Sequence, residues 1–303
     1  MEHIMFKKIA IIAGMSLAVA TAAQAQQMPQ ETIVTGDTLV TDTYRWEIGG
    51  AANYSELDVG PFDVDKWGVD LYGTFFLNDV DTSNRPRSEA AFLDHASSVT
   101  LFGGYSELDD VDKLEKDLGG IDIDDDDSET YGIGGRYVTK QTGSWIIQAD
   151  WRRTKPAHLE IDTYTIGIGK YITDNTSLII TYADADLDNG GDTDGWNAGL
   201  EHFWDLSSGG IKLEGNVGYV NVDNGDDIDV YNLAGTWYVN DDLGFGARFG
   251  TVDGGHDEAY RYSIFSEWFI TRSIAVSAAY DYTDFDNSDV DNNAFTIGGR
   301  YRF

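Results

Sequence analysis

Polar and apolar residues alternate along most of this chain. From Trp67 the apolar register runs through Val69, Leu71, Gly73, Phe75 and Leu77, and from Trp196 through Ala198, Leu200, His202 and Trp204. A period of two marks strands with one apolar face. Runs of this kind predict fourteen strands, near 43–56, 64–77, 87–105, 130–140, 144–155, 161–172, 176–185, 194–205, 210–222, 228–239, 243–252, 258–270, 273–283 and 292–303. Most are 10 to 14 residues long, which suits tilted strands crossing a bilayer better than a soluble sandwich. Twelve or sixteen strands are the adjoining alternatives, because 87–105 is long and ETIVTGDTLV (31–40) could pair as well.

The connections fall into two kinds. Tight turns lie within YITDNTSLIITY (171–182), WYVNDDLGFGARF (237–249) and WFITRSIAVSAAY (268–280), with looser copies at 75–80, 137–145 and 202–210. Between them come longer, mostly acidic segments such as DADLDNGGDTD and DFDNSDVDNN. An even strand count brings both ends of the barrel to the side of the tight turns. This predicts an all-β fold: a transmembrane antiparallel up-and-down barrel with short periplasmic turns and longer acidic extracellular loops.

The tryptophans fit that picture. Trp46, Trp67, Trp145, Trp151, Trp196, Trp204, Trp237 and Trp268 fall on the apolar register, several at strand ends, as an interfacial aromatic girdle requires. The stretch AFTIGGRYRF places Phe295, Ile297, Gly299, Tyr301 and Phe303 on one face and Thr296, Gly298, Arg300 and Arg302 on the other. Its strand is expected to close the barrel against the first. Tyr301 and Phe303 are the candidate insertion signal for the barrel-assembly machinery.

At the other end, Lys7 and Lys8 precede an apolar run and the small-residue site Ala23-Gln24-Ala25. That is the build of a secretory signal peptide over 1–25. The expected organisation is then a periplasmic segment at 26–42 and a barrel over 43–303.

Composition narrows the partners. A formal charge of −33 repels nucleic acid. Disorder is excluded by 8 Trp, 17 Tyr and 14 Phe, and the absence of cysteine rules out a disulfide framework. Lipid and lipopolysaccharide are the expected surroundings.

The register opposite the tryptophans carries the charges of interest. By alternation it holds Arg45, Glu47, Lys66, Asp70, Arg136, Asp150, Arg152, Glu201, Lys212, Glu214, Arg248, Arg261, Glu267, Asp281, Arg300 and Arg302. Nine of the chain's 20 basic side chains are in this set, although the loops are overwhelmingly acidic. They are the candidate pore-lining residues of a water-filled channel. The competing reading is a narrow or plugged barrel in which arginines and glutamates satisfy one another.

Other signals are weaker. In 109–129 Val111, Leu114 and Leu118 recur at helical spacing before Gly119, so a short helix and acidic arm could fold into the mouth or lie in solvent. Asp122, Asp124 and Asp126 alternate, but Asp127 and Ile133 stand where a calcium loop needs Gly and Glu. No metal site or cofactor is expected. His95, His158, His202 and His256 sit in no nucleophile elbow or HExxH, so no catalytic residue is assigned. ETIVTG (31–36) is similar to the coupling box of much larger plugged receptors, for which this chain has no room.

At RPRSEAAFLDHASSV (85–99) the sequence resembles the general bacterial porins of Gram-negative outer membranes. Pro86, Glu89, Ala90, Ala91, Phe92, Leu93, Ser97 or Ser98, and Val99 match the family's pattern entering an early strand. The resemblance implies passive diffusion of small hydrophilic solutes and ions, and no enzyme activity. It also raises a homotrimer, with an inward loop after the fifth strand. Here that connection, TKPAHLE, is short, and only 106–129 could substitute. The alternatives are a non-conducting barrel whose acidic loops bind surfaces or lipopolysaccharide, a substrate-specific channel, and a barrel enzyme.

Overall fold

The computed structural model describes residues 43–303 apart from 60–61, 110–126, 141–142, 157–159, 188–190, 223–225, 255–257 and 287–289. The described residues form fourteen strands: β1 (Thr43–Val59), β2 (Phe62–Asp81), β3 (Ser98–Asp109), β4 (Asp127–Thr139), β5 (Trp145–Pro156), β6 (Ile161–Thr173), β7 (Thr176–Leu187), β8 (Gly191–Asp205), β9 (Gly210–Val222), β10 (Ile228–Tyr238), β11 (Leu243–Asp253), β12 (Glu258–Phe269), β13 (Ile274–Phe285) and β14 (Val290–Arg302). Each pairs with the next, and β14 returns to β1, giving a closed ring. The expected fourteen-strand up-and-down barrel is the fold.

Ring closure leaves no open edge, so the ladder satisfies every strand on both sides. At the seam Glu47 lies opposite Arg302 and Ile48 opposite Tyr301. Phe303 extends it: its N–H donates to the Trp46 carbonyl (3.0 Å), and its carbonyl accepts from the amides of Arg45 (2.9 Å) and Trp46 (2.8 Å).

Alternation sends the aliphatic register outward. Leu71, Leu101, Ile166 and Ile264 are each about 60% exposed. An apolar belt of that extent requires a non-aqueous cover, which a bilayer provides. Trp46, Trp145, Trp204, Trp237 and Trp268 are exposed near the short-turn ends of their strands. Trp67 and Trp196 are exposed toward the opposite end. Trp151 is half-buried, its indole N–H donating to Asp162 (2.9 Å).

The largest departure from the sequence reading lies between β2 and β3. The expected strand 87–105 begins only at Ser98, and residues 82–97 turn inward instead. Arg87–Glu89 form a 3-10 turn that runs into one helical turn, Ala90–Leu93. Asn84 (φ 53°) and His95 (φ 51°) take left-handed conformations at either end, where the chain reverses. The physical reason is local: Pro86 has no N–H for a ladder, and Glu89-Ala90-Ala91 favour helix over strand. Pro86, Glu89, Ala90, Ala96 and Ser97 are buried. Ala90 and Ala96 pack with Tyr44, Phe76 and Val80, while Phe92 packs against Val138, Ile146 and Tyr171.

Several expectations fall outside the described residues. These are the signal peptide 1–25, the segment 26–42 with its ETIVTG stretch, the helix and acidic arm over 110–126 with Asp122, Asp124 and Asp126, and both His158 and His256.

Candidate functional site

Short turns lie on the periplasmic side in bacterial barrels, and residues 82–97 enter the lumen from that side. From its roots on β2 and β3 the segment reaches the far wall. The Arg87 amide donates to the Asp241 carbonyl (2.9 Å) in the β10–β11 turn, and the Arg87 guanidinium pairs with Asp242. The Ser88 hydroxyl donates to Glu267 on β12, and Glu89 accepts from the Tyr238 hydroxyl on β10. On β6 the Tyr171 hydroxyl donates to the Phe92 carbonyl (2.9 Å). The His95 ring stacks on Tyr171 at 3.7 Å with Nε2 2.9 Å from the Asp174 carbonyl. These partners span the ring from β6 to β12, so the segment forms a floor across the periplasmic mouth.

Beneath and beside that floor the charges are paired. Lys212 Nζ sits 2.7 Å from Glu201, 3.0 Å from Glu89 and 3.2 Å from Glu214. Glu47 holds Arg302 (2.5 Å) and Arg300 (3.5 Å), and Tyr72 donates to it at 2.9 Å. Arg300 also pairs with Glu267. Arg302 lies over the Tyr44 ring (4.4 Å) and donates to the Arg87 carbonyl (2.6 Å). Glu47, Lys212, Arg300 and Arg302 are all buried. Charges that far from water persist only when opposed, since an uncompensated one costs several kcal/mol. Glu47 on β1 with Arg300 and Arg302 on β14 also clamps the seam.

Above the floor the lumen opens into a cavity of about 390 Å³. Arg136, Gln148, Asn197, Asn216, Asn232 and Arg248 contribute to its walls. Arg136 donates to the Tyr171 hydroxyl (3.1 Å) and lies over that ring. Arg248 lies over Phe265 and Arg152 over Phe102. Both rings rest on a glycine of the neighbouring strand: a Cβ on Gly246 would collide with Phe265, and one on Gly132 with Phe102. The bare backbone lets each ring lie along the wall instead of standing into the lumen. Further round, Arg261 is held by Asp281 (2.6 Å), which also accepts from Ser263. Asp70 accepts from Asn53 (3.2 Å), and Asp70 and Asp150 are the carboxylates facing Arg152; Asp70 also faces Lys66.

The sequence candidates therefore divide. Glu47, Glu201, Lys212, Glu214, Glu267, Arg300 and Arg302 gather at the floor. Lys66, Asp70, Arg136, Asp150, Arg152, Arg248, Arg261 and Asp281 occupy the wall above or around it. Arg45 stands apart from both. A register shift between Tyr44 and Trp46 turns Tyr44 inward, and the exposed Arg45 guanidinium bonds the carbonyls of Phe76 (3.2 Å) and Leu77 (2.8 Å) over the Phe75 ring.

Sequence reading did not single out Ser88, Tyr72, Tyr171 or Tyr238, and it used Glu89 only as part of the family pattern. The signal was present in the loss of alternation after Pro86. His202 lies on the outer face, hydrogen-bonded to Thr176 (2.6 Å) beside Trp204. His95 belongs to the floor, not to a strand. Among the described residues no cluster of His, Asp or Glu has the makings of a metal site.

No protein-family model matches the sequence, and no curated protein does. Solved structures do share its shape. The Acinetobacter baumannii outer membrane protein Omp33 matches with a TM-score of 0.61 at 19% identity, over 86% of this chain and 99% of that chain. A TodX monoaromatic hydrocarbon channel, the deltaS2 mutant, gives 0.52 at 11% identity, over 87% and 90%. A bacterial polysaccharide outer membrane secretin gives 0.51 at 10% identity, over 86% and 99%. At such identities the likeness establishes the fold, a closed β-barrel, and leaves location and solute to be argued from the residues.

Proposed function

We propose that this chain is exported to the bacterial outer membrane and forms a water-filled channel for small hydrophilic solutes and ions. The observation that carries the reading is the cavity above the floor, whose wall joins guanidinium, amide and glycine positions to apolar groups such as Ile179, Leu200 and Phe265, within a closed ring whose outside is aliphatic. A barrel filled for stability alone would meet its own middle with interlocking side chains. Here a space of about 390 Å³ remains, bordered by polar and apolar groups alike. Residues 82–97 form the narrow part of the path, at the periplasmic mouth. The role assigned is transport without catalysis, and Tyr301 and Phe303 serve insertion by the assembly machinery.

One observation favours the second reading, a non-conducting barrel: the floor joins β2 and β3 to five other places on the ring. Single-channel recording of the refolded protein in a planar bilayer, with a KCl gradient, separates the two. Stable steps support the channel. No steps from a barrel whose folding is verified by its heat-modifiable mobility would overturn it in favour of the surface-binding barrel.

A further inference from the structure

The cations of the lumen are of two sorts. Lys212, Arg261, Arg300 and Arg302 each lie within 4.0 Å of a carboxylate. Lys66, Arg136, Arg152 and Arg248 do not, among the described residues, though Asp70 faces both Lys66 and Arg152. Arg136 has the Tyr171 hydroxyl and ring, and Arg248 has the Phe265 ring. The carboxylates that reach Arg248 electrostatically are Asp281 and Glu214, with Arg261 opposing them. Asp281 is already held by Arg261, and Glu214 by Lys212. A chain with 53 acidic residues had carboxylates to spare for two more pairs.

The two arginines also share a setting. Both border the same cavity, and β4 and β11 are seven strands apart in either direction round the ring, so they face it from opposite walls. Each guanidinium is steadied by an aromatic ring. A cation held on its flat face keeps in-plane N–H groups for another partner, at Arg136 those beyond the one given to the Tyr171 hydroxyl, and a planar fork matches a carboxylate in a bidentate way. Between the arginines the amides of Asn216 and Asn232 are joined by a hydrogen bond (3.0 Å), and Gln148 and Asn197 border the same space. Amides of this kind suit the hydroxyls and carbonyls of a polar solute.

We propose that this cavity binds small hydroxylated organic carboxylates, with Arg136 or Arg248 receiving the carboxylate and the amides meeting the hydroxyls. The inference rests on the channel reading and gives it a solute class. An acidic exterior repels anions at long range, an effect confined by salt to about 8 Å at physiological ionic strength. Selection at the cavity is short-range and contact-driven, so the two coexist.

Gluconate and sorbitol differ chiefly in the carboxylate and are the probes. Calorimetric titration of the folded protein in detergent should give gluconate binding at least tenfold tighter than sorbitol. The double variant Arg136→Gln/Arg248→Gln should lose at least tenfold for gluconate and little for sorbitol, with its fold checked by heat-modifiable mobility. Arg136→Lys/Arg248→Lys, which keeps the charge but not the fork, should fall between. Equal binding of the two probes, or gluconate binding unchanged in the double Gln variant, overturns the proposal. Conductance without gluconate binding overturns the carboxylate site and spares the channel. Binding without conductance supports the site and overturns the channel.

Discussion

The floor and the cavity above it are built from the same residue types and organised in opposite ways. At the floor every basic group is opposed: Lys212 by three glutamates, and Arg300 and Arg302 by Glu47. In the cavity Arg136 and Arg248 have rings beneath them and, among the described residues, no carboxylate against them. Paired charges at the floor hold strands and segment together at little net electrostatic gain. Unpaired charges on a wetter wall remain available to whatever passes. The difference teaches where this barrel uses charge as structure and where as recognition.

The floor has a second property. Its wall-side partners are nearly all doubly provided. Without Glu89, Lys212 keeps Glu201 and Glu214; without Ser88, Glu267 keeps Arg300; without the Arg87 carbonyl, Arg302 keeps Glu47. Tyr238, whose hydroxyl bonds Glu89, and the half-exposed Asp242, whose carboxylate pairs with Arg87, are the exceptions. Departure of the segment therefore strands few charges.

The largest effect is expected from Lys212→Met. It leaves Glu89, Glu201 and Glu214 facing one another and should cost about 3–5 kcal/mol in the unfolding free energy. Arg248→Gln in the cavity should stay within about 1 kcal/mol of the parent. Urea unfolding of both in detergent micelles checks the contrast, and equal losses would erase it. Next comes replacement of residues 85–95 by a short glycine linker, which should raise single-channel conductance severalfold. Unaltered conductance would show that the floor does not limit the path.

A smaller change is expected from Glu89→Gln. Lys212 stays paired, so stability should fall by only about 1 kcal/mol, while the segment keeps the Arg87–Asp242 ion pair but loses its ionic anchor to Lys212, and current records should show more frequent excursions to a higher level. Records as quiet as the parent's would mean that the Arg87–Asp242 pair, the remaining hydrogen bonds and the packing of Ala90, Ala96 and Phe92 hold the floor without the Glu89 charge. The smallest effect is on ion preference. Arg136→Gln/Arg248→Gln should move the reversal potential toward cations at low salt, with the shift fading as ionic strength rises. A shift toward anions would contradict the cavity's assigned role.

Much of this was legible from residue order. The number of strands, the lipid face and the seam formed by Phe303 follow from a period-2 pattern, which is local: each strand reports its two faces without reference to any other. That pattern also placed Lys212, Glu214, Arg300 and Arg302 on the inward register. It misled at two places, and both are breaks in periodicity. The bulge at Tyr44/Trp46 set Arg45 apart from the lumen groups, and the helical turn after Pro86 took 87–97 out of the ladder.

Only the tertiary structure decided which charges meet. Glu89 and Lys212, or Arg302 and the Arg87 carbonyl, are far apart in sequence and are brought together by ring closure and by a segment crossing the lumen. Whether an inward arginine ends up paired or open depends on its height and on its neighbours across the ring. Alternation carries neither quantity, because a period of two tells inside from outside and nothing about which part of the inside.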